Sequence, residues 1–258
     1  MHVEPPRVIA VVSPHGYRRL EAASSPRSFL LERLTVQAAC TAIRGGRRDP
    51  VVLDASGLSR HDFDGVLGAI VATGSNVIFH GPRDPIALDR ALECALSMTV
   101  ETVIWDVDNE PGVLRALVAG VREPTVQARV LRAIAPKLAA LPIGMRREFT
   151  AAFLWNRPRC TADLVRSVGI SRRTVERQLA DVGLMSTAVI LRIAALSKSW
   201  LGDAENESAH DKALRCGFQT VRTMQRCFRL TVGGTPQRAL RSVTAADAAL
   251  ALTASICT

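Results

Sequence analysis

The chain has 258 residues, and 48% of them are hydrophobic, a composition that excludes global disorder and allows two domains that each bury a core. The formal net charge is +9 at pH 7 and is concentrated in the second half: residues 1–140 hold 16 basic and 15 acidic side chains, whereas residues 141–258 hold 17 and 9. A neutral half joined to a basic half is typical of nucleic-acid-binding proteins that carry a control domain, so the charge predicts a nucleic-acid partner.

Six cysteines are present, and no two of them have Cys-x-x-Cys spacing, which excludes the common zinc and redox motifs. The amino terminus has neither the basic nor the apolar region of a signal peptide, and no window has the roughly 20 apolar residues of a membrane-spanning helix. We therefore expect a cytoplasmic protein with reduced thiols and no membrane partner.

The first half alternates short apolar runs with stretches of helical periodicity. The predicted strands are Val8–Val12, Val51–Asp54, Asn76–Phe79 and Thr102–Trp105, and the predicted helices cover 34–43, 62–72, 85–96 and 111–121. A further strand and helix around 28–34 are poorly marked. Continuous apolar runs are typical of parallel strands covered on both faces. The alternation therefore predicts an α/β domain with a doubly wound parallel sheet over 1–122.

Asp54 ends a predicted strand in the run Val-Val-Leu-Asp-Ala-Ser. With the strand pattern around it, this half resembles the receiver domain of two-component response regulators, in which a carboxylate at this place accepts phosphate. The resemblance also implies an acidic pair, a Thr or Ser, and a Lys at three other strand ends, where this chain has Ser13-Pro14, His80-Gly81 and Trp105-Asp106. Without magnesium ligands and the lysine, nothing offsets the charge of an incoming phosphoryl group. We expect a pseudo-receiver, and a response regulator switched by phosphorylation at Asp54 is the alternative.

An α/β enzyme fused to a DNA-binding domain is the other alternative. Cys40 and Cys94 lie inside helical patterns and not at a strand-to-helix turn, where a nucleophile would be exposed. No glycine-rich phosphate loop follows a strand, and His15, His61 and His80 have no metal-ligand spacing. The sequence therefore predicts no catalytic residue, no cofactor and no metal, and we expect a protein that is not an enzyme.

After Val121 the strand pattern stops, and the rest of the chain has helical periodicity. Pro124 opens a helical stretch, and Pro142 and Gly144 interrupt the pattern. The predicted organisation is the α/β domain over 1–122, a helical linker over 123–143, an all-α domain over 144–242 and a carboxy-terminal tail over 243–258.

A short helix pair is predicted around Gly169, which allows the left-handed backbone of a tight turn. Thr161 is the expected cap of the first helix, Ile170 is expected to fill the core, and Ser171 to cap the second helix. The predicted inner face carries Leu164, Val165, Val168, Val175 and Leu179. The outer face of the second helix carries Arg172, Arg173, Glu176 and Arg177.

The same design recurs around Gly217-Phe218, with Thr220 as the cap of the second helix and Gly233 as its end. Thr235-Pro236 begins a further helix. The predicted buried face carries Met224, Cys227 and Phe228. The exposed face carries Arg222, Thr223, Gln225, Arg226 and Arg229. A glycine-turned helix pair with an arginine-rich outer face is a helix-turn-helix pattern, and the sequence predicts two of them, joined by a linker helix over Ser186–Leu201.

Four motifs of this half resemble those of the AraC/XylS-type transcription regulators: Gly217-Phe218, Arg226-Cys-Phe228, Gly233-Gly-Thr-Pro236 and Arg241. The segment from Ser171 to Leu179 is similar to the first unit of that family, and the turn glycines 169 and 217 are 48 residues apart, close to the family's interval. The resemblance covers 145–242. The chain departs from the family pattern at Lys212, at Gly234 and along the linker helix, which follows it only through Arg192-Ile193. The β-barrel effector domain of most members does not fit the first half, so no sugar-like ligand is implied.

The resemblance implies that the second helix of each pair enters the major groove of double-stranded DNA. Sixteen residues of linker helix span roughly 24 Å, and grooves on one face of DNA recur about every 34 Å. We expect base contacts from Arg173, Glu176 and Arg177, and from Arg222, Thr223, Gln225 and Arg226. Phosphate contacts are expected from Arg172, Arg229 and Arg241.

The predicted function is therefore bacterial transcription regulation. The first domain is expected to serve regulation or homodimerisation without phosphorylation, and RNA polymerase is a further candidate partner.

Overall fold

The computed structural model describes residues 7–24, 29–47, 49–54, 56–81, 84–98, 100–104, 124–155, 160–200 and 208–257. The chain divides into two compact units, Met1–Pro124 and Thr125–Thr258. The first unit combines strands with helices, and the second is built of helices. The prediction of an α/β half followed by a helical half is confirmed at this level.

The first unit is built on a parallel sheet. Its five strands are β1 (Arg7–Val11), β2 (Leu30–Arg33), β3 (Val51–Asp54), β4 (Val77–Gly81) and β5 (Val100–Ile104). Their order is β2-β1-β3-β4-β5, and every adjacent pair is parallel. The connecting helices are α1 (Pro14–Ala23), α2 (Val36–Arg44), α3 (Arg60–Thr73) and α4 (Pro85–Ser97). This order is that of a doubly wound sheet. Trp105 and the predicted helix over 111–121 lie outside the described residues.

Both faces of the sheet are covered, which explains the continuous apolar runs of its strands. On one side the buried cluster consists of Val8, Ala10, Leu20, Phe29, Val52 and Ile78. On the other side Phe63 of α3 packs against Phe79 of β4, with 5.9 Å between the ring centroids. The carboxyl ends of β3 and β4 bring Asp54 opposite His80.

The poorly marked segment around 28–34 contains the edge strand β2. Leu30 is 43% exposed, and the strand is paired along one side with β1. A short strand at a sheet edge buries less of its surface than a central strand, so its apolar run is weaker. The strongest apolar signal of this segment comes from Phe29, which is fully buried just before the strand.

The second unit contains nine described α-helices. They are α5 (Val126–Ala139), α6 (Ile143–Trp155), α7 (Thr161–Val168), α8 (Arg172–Asp181), α9 (Thr187–Ser197), α10 (Ala209–Arg215), α11 (Val221–Val232), α12 (Pro236–Ser242) and α13 (Ala245–Ile256). A 3₁₀ turn over Lys198–Trp200 follows α9.

The contact between α5 and α13 corrects two predicted segments. The stretch 123–143, predicted as a linker, contains α5, whose Val130 and Ile134 are fully buried. The stretch 243–258, predicted as a tail, contains α13, which buries Leu252 and Ile256 and also contacts α9 and α11. Both helices belong to the core of the second unit, because each needs a partner to cover its apolar face.

Candidate nucleic-acid interface

The first helix pair is α7 and α8, joined by a turn at Gly169. Gly169 has a φ of 74°, the left-handed conformation that its position predicts. The hydroxyl of Ser171 accepts a hydrogen bond from the N–H of Thr174 at 3.2 Å, which is the N-cap arrangement. The fully buried side chains of the pair are Leu164, Val175 and Leu179. The predicted turn, cap and main core contacts are confirmed.

Two details of this pair differ from the prediction. Cys160, not Thr161, is the N-cap of α7, and it makes no side-chain hydrogen bond; Thr161 is the first helical residue. Ile170, predicted to fill the core, is half-buried, as are Val165 and Val168. Ile170 lies in the turn next to the exposed cap of α8, at the edge of the pair, so it cannot be enclosed on all sides.

The outer face of α8 exposes three of the four predicted side chains, namely Arg172, Arg173 and Arg177. Glu176 differs, since it is half-buried and its Oε2 atom accepts a hydrogen bond from the N–H of Thr187 at 3.2 Å. Ser186, the N-cap of α9, makes no side-chain hydrogen bond, so Glu176 satisfies a free N–H group at that helix start. We therefore correct the role of Glu176 from a base contact to a cap of α9.

The second helix pair is α10 and α11, joined by a turn at Gly217 with a φ of 91°. The hydroxyl of Thr220 accepts a hydrogen bond from the N–H of Thr223 at 3.1 Å, so the predicted cap is confirmed. The ring of Phe228 packs against Trp200, with 5.2 Å between centroids. The predicted inner face is also confirmed, with buried Met224, Cys227 and Phe228.

The outer face of α11 lies at the surface. All five predicted side chains are exposed, namely Arg222, Thr223, Gln225, Arg226 and Arg229. Gly233 ends the helix with a φ of 76°, and Thr235 caps α12 by accepting a hydrogen bond from the N–H of Arg238 at 3.4 Å. Arg241 is exposed on α12. The second pair therefore offers every predicted contact residue to a partner.

The two helix pairs share α9 as a common platform, because α9 contacts α7 and α8 of one pair and α11 of the other. The platform is shorter than predicted. The helix expected over Ser186–Leu201 is α-helical over Thr187–Ser197 and continues as the 3₁₀ turn, and Leu201 lies outside the described residues. Its 11 residues give about 16 Å of α-helix instead of roughly 24 Å.

Two buried polar side chains form hydrogen bonds that connect α5 and the 3₁₀ turn after α9 to α6. Lys198, only 4% exposed, donates from Nζ to the carbonyl oxygen of Ala152 at 2.6 Å. Gln127 of α5 donates from Nε2 to the carbonyl oxygen of Phe153 at 2.5 Å. Both carbonyls belong to the last described turn of α6. The two bonds link α5 and the 3₁₀ turn after α9 to α6.

The two outer faces carry positive charge that no ion pair with a described carboxylate offsets. Within the described part of the chain, none of the six arginines on α8 and α11 forms an ion pair, whereas Arg166 of α7 pairs with Asp163 at 3.4 Å. The sequence of α11 contains no acidic residue. Unpaired guanidinium groups favour phosphate and guanine, which accept two parallel hydrogen bonds from them.

Asp54 lies at the carboxyl end of β3, is 2% exposed and already accepts several hydrogen bonds. Its Oδ1 atom faces the N–H groups of Ser56 at 3.3 Å and Gly57 at 3.0 Å, and also the Ser56 hydroxyl at 3.3 Å. Its Oδ2 atom accepts from the N–H of Ser13 at 3.4 Å. Across the residues that the structure describes, no group of three His, Cys, Asp or Glu side chains could hold a metal ion. These contacts give Asp54 a structural role at this strand end.

His80 is buried on the neighbouring strand. Burial lowers the pKa of His80 to about 4, because the charged imidazolium is costly to desolvate. The carboxylate of Asp54 opposes this shift, and Arg19 and His15 add to it. His80 is therefore neutral in the folded protein at pH 7.

Replacing His80 by glutamine is expected to reduce the pH dependence of stability. Between a pKa of 6.5 in the unfolded chain and about 4 in the folded one, protons bind the unfolded state preferentially. The stability that is fully present above pH 6.5 is therefore lost as the pH falls, by about 2–3 kcal/mol at about pH 4.5. Urea unfolding above pH 6.5 and at about pH 4.5 measures this change in the free energy of unfolding. His61 is exposed, and His61→Gln is the matched control, which should keep the wild-type pH dependence of stability. If both variants changed in stability equally between the two pH values, the attribution of this pH dependence to His80 would be wrong.

The chain matches no family model, and neither curated proteins nor solved structures give a significant match. Function is therefore inferred from the residues and their geometry. None of the described helices is long and apolar enough to cross a membrane.

Arg192 is absent from the predicted site residues, yet it occupies a distinctive place. It is half-buried on α9, between the buried Leu191 and Ile193. The sequence could have indicated this residue, because Arg192 is the single charged residue of the apolar helix Thr187–Ser197.

Proposed function

We propose that this protein is a sequence-specific, double-stranded DNA-binding transcription regulator of the AraC/XylS type. It inserts α8 and α11 into successive major grooves. The observation that carries the proposal is the repetition of one design: a left-handed glycine turn, a Ser or Thr cap and an arginine-rich exposed helix, twice, on a shared platform helix. A single pair of this kind occurs in many helical hairpins, whereas two on one platform match two-groove reading.

The side chains divide by their expected targets. Arg173 and Arg177 of α8, and Arg222, Thr223, Gln225 and Arg226 of α11, read bases, because they lie on the exposed faces of the two helices. Arg172, Arg229 and Arg241 contact phosphates and supply affinity without sequence preference. Glu176 lies on α8 and caps α9, so its hydrogen bond connects the DNA-reading helix α8 to the platform helix.

The first unit is proposed to act as a receiver-like module for regulation or homodimerisation, without phosphorylation. Its strand order supports the receiver-like fold, and the hydrogen bonds to Asp54 support a structural carboxylate. Incubating the protein with acetyl phosphate and magnesium should leave its intact mass unchanged, because nothing offsets the charge of an added phosphoryl group. A gain of one phosphoryl group that Asp54→Asn abolishes would instead support the switched response regulator.

The direct test of DNA recognition is selection of bound duplexes from a random pool by the full-length protein. We expect enrichment of a site with two conserved blocks, one for each reading helix. Gel-shift titration should then give a binding constant about 10³-fold or more tighter than that for random duplex at the same salt concentration. A pool that stays random after repeated selection would rule out sequence-specific binding.

A further inference from the structure

A cavity of about 280 Å³ lies within the second unit, between the two helix pairs. Its floor is α9, one wall is the start of α7, and the other wall is the turn before α11 together with the first part of that helix. The side chains that define these three sides are Leu191, Arg192, Ala195, Cys160, Phe218 and Thr223. We call this space the inter-pair cavity. The residues that line it belong to both helix pairs and to their platform.

The wall of the inter-pair cavity is mainly apolar. Leu191 and Phe218 contribute large hydrophobic surfaces, and alanines of α6 and α9 contribute small ones. Cys216 and Cys227 also line it, and burial raises the pKa of both thiols, so they are neutral at pH 7. Neutral, polarisable thiols favour an apolar ligand.

A positively charged side chain, that of Arg192, is among the residues that line this mainly apolar cavity. Arg192 lines the inter-pair cavity, is half-buried, and lies close enough to Cys227 for its charge to act on that thiol. None of the described lining residues is acidic, and no described carboxylate forms an ion pair with Arg192. A partly desolvated guanidinium without a carboxylate partner favours an anionic group that can accept its hydrogen bonds.

We infer that the inter-pair cavity binds a small apolar carboxylate, with the hydrocarbon part against Leu191 and Phe218 and the carboxylate on Arg192. The volume lies just below the usual range for small-molecule pockets, which suits a compact ligand such as a single ring with a short acidic chain. The consequence for regulation rests on the proposed function. Thr223 belongs both to the cavity wall and to the reading face of α11, so a bound anion adds negative charge next to the DNA and weakens its binding.

The test uses full-length protein and two probes of nearly the same size and shape, the anion 3-phenylpropionate and its neutral amide, 3-phenylpropionamide. Isothermal titration without DNA should show one carboxylate bound per chain, about tenfold tighter than the amide. Arg192→Gln should remove that preference, whereas Arg238→Gln, an exposed arginine of α12, should keep it.

Two filling variants locate the site. Ala195→Phe places a ring inside the inter-pair cavity and should abolish binding of both probes; Ala188→Phe, which starts from an exposed residue at the cavity, should do so with less risk to folding. Ala246→Phe, on the exposed side of α13, is the size-matched control and should bind normally. Circular dichroism checks that each variant is folded.

The regulatory step is measured by gel shift with and without the carboxylate. We expect DNA affinity to fall about fivefold or more at saturation, and Arg192→Gln to be insensitive. The inference is overturned by the absence of saturable binding at millimolar probe, by equal affinity for acid and amide, by binding that survives both filling variants, or by unchanged DNA affinity at saturation. Because probe binding is measured without DNA, a failure of DNA recognition itself remains distinguishable.

Discussion

Replacing Arg173 and Arg226 together by alanine is expected to weaken binding to the selected DNA site by about 2–6 kcal/mol. Each arginine is exposed on a different reading helix, and a good bidentate contact to guanine contributes about 1–3 kcal/mol of discrimination. The two sites share no described contact, so their effects should add. Gel-shift titration of the wild type, both single variants and the double variant measures the loss.

The control variant removes two positive charges from the first unit and leaves both reading helices unchanged. Arg18→Ala combined with Arg44→Ala changes two exposed arginines of the first unit. Both double variants lose two positive charges, so the control accounts for any general loss of attraction between the protein and the phosphate backbone. Only the Arg173 and Arg226 variant should lose specific affinity in addition. Equal losses on specific and random DNA would show that these arginines contact phosphates and not bases.

Phe228→Ala is expected to lower the free energy of unfolding of the second unit by about 3–5 kcal/mol. Phe228 is fully buried on the inner face of α11 and packs against Trp200, so truncation removes apolar contacts and leaves a cavity. Because α11 carries five of the proposed contact residues, specific DNA binding should fall as the helix loses its support. Urea unfolding followed by tryptophan fluorescence measures the stability.

The matched control lies on the same helix. Leu230 is 67% exposed, so Leu230→Ala should change the free energy of unfolding by less than about 0.5 kcal/mol. If the two variants were equally stable, the inner face of α11 would have been assigned wrongly.

Features set by local chemistry were predictable from the sequence. The turn glycines, the caps Ser171 and Thr220 and the buried face of α11 each follow from a few neighbouring residues. Backbone conformation at glycine and capping by a hydroxyl depend little on distant contacts. The arginine-rich outer faces are likewise a consequence of helical spacing once the helix bounds are known.

Features set by distant contacts were not predictable. Glu176 has the spacing of an outer-face residue, and only the position of α9 shows that its carboxylate meets the N–H of Thr187. The apolar run Ala245–Ile256 gives no sign of the partner that buries it, so the sequence predicts a tail there, although the helix packs on α5. The edge strand β2 was only poorly marked in the sequence for a similar reason, since pairing with β1 compensates for its weak apolar pattern.

Hydroxyl-radical footprinting of the full-length protein on a selected duplex tests two-groove reading most directly. Two reading helices on one platform should protect two segments on the same face of the DNA, with centres about one helical turn, roughly 10 base pairs, apart. Arg173→Ala should weaken protection of one segment and Arg226→Ala that of the other. A single protected segment, or two segments that respond identically to both substitutions, would contradict insertion of α8 and α11 into separate grooves.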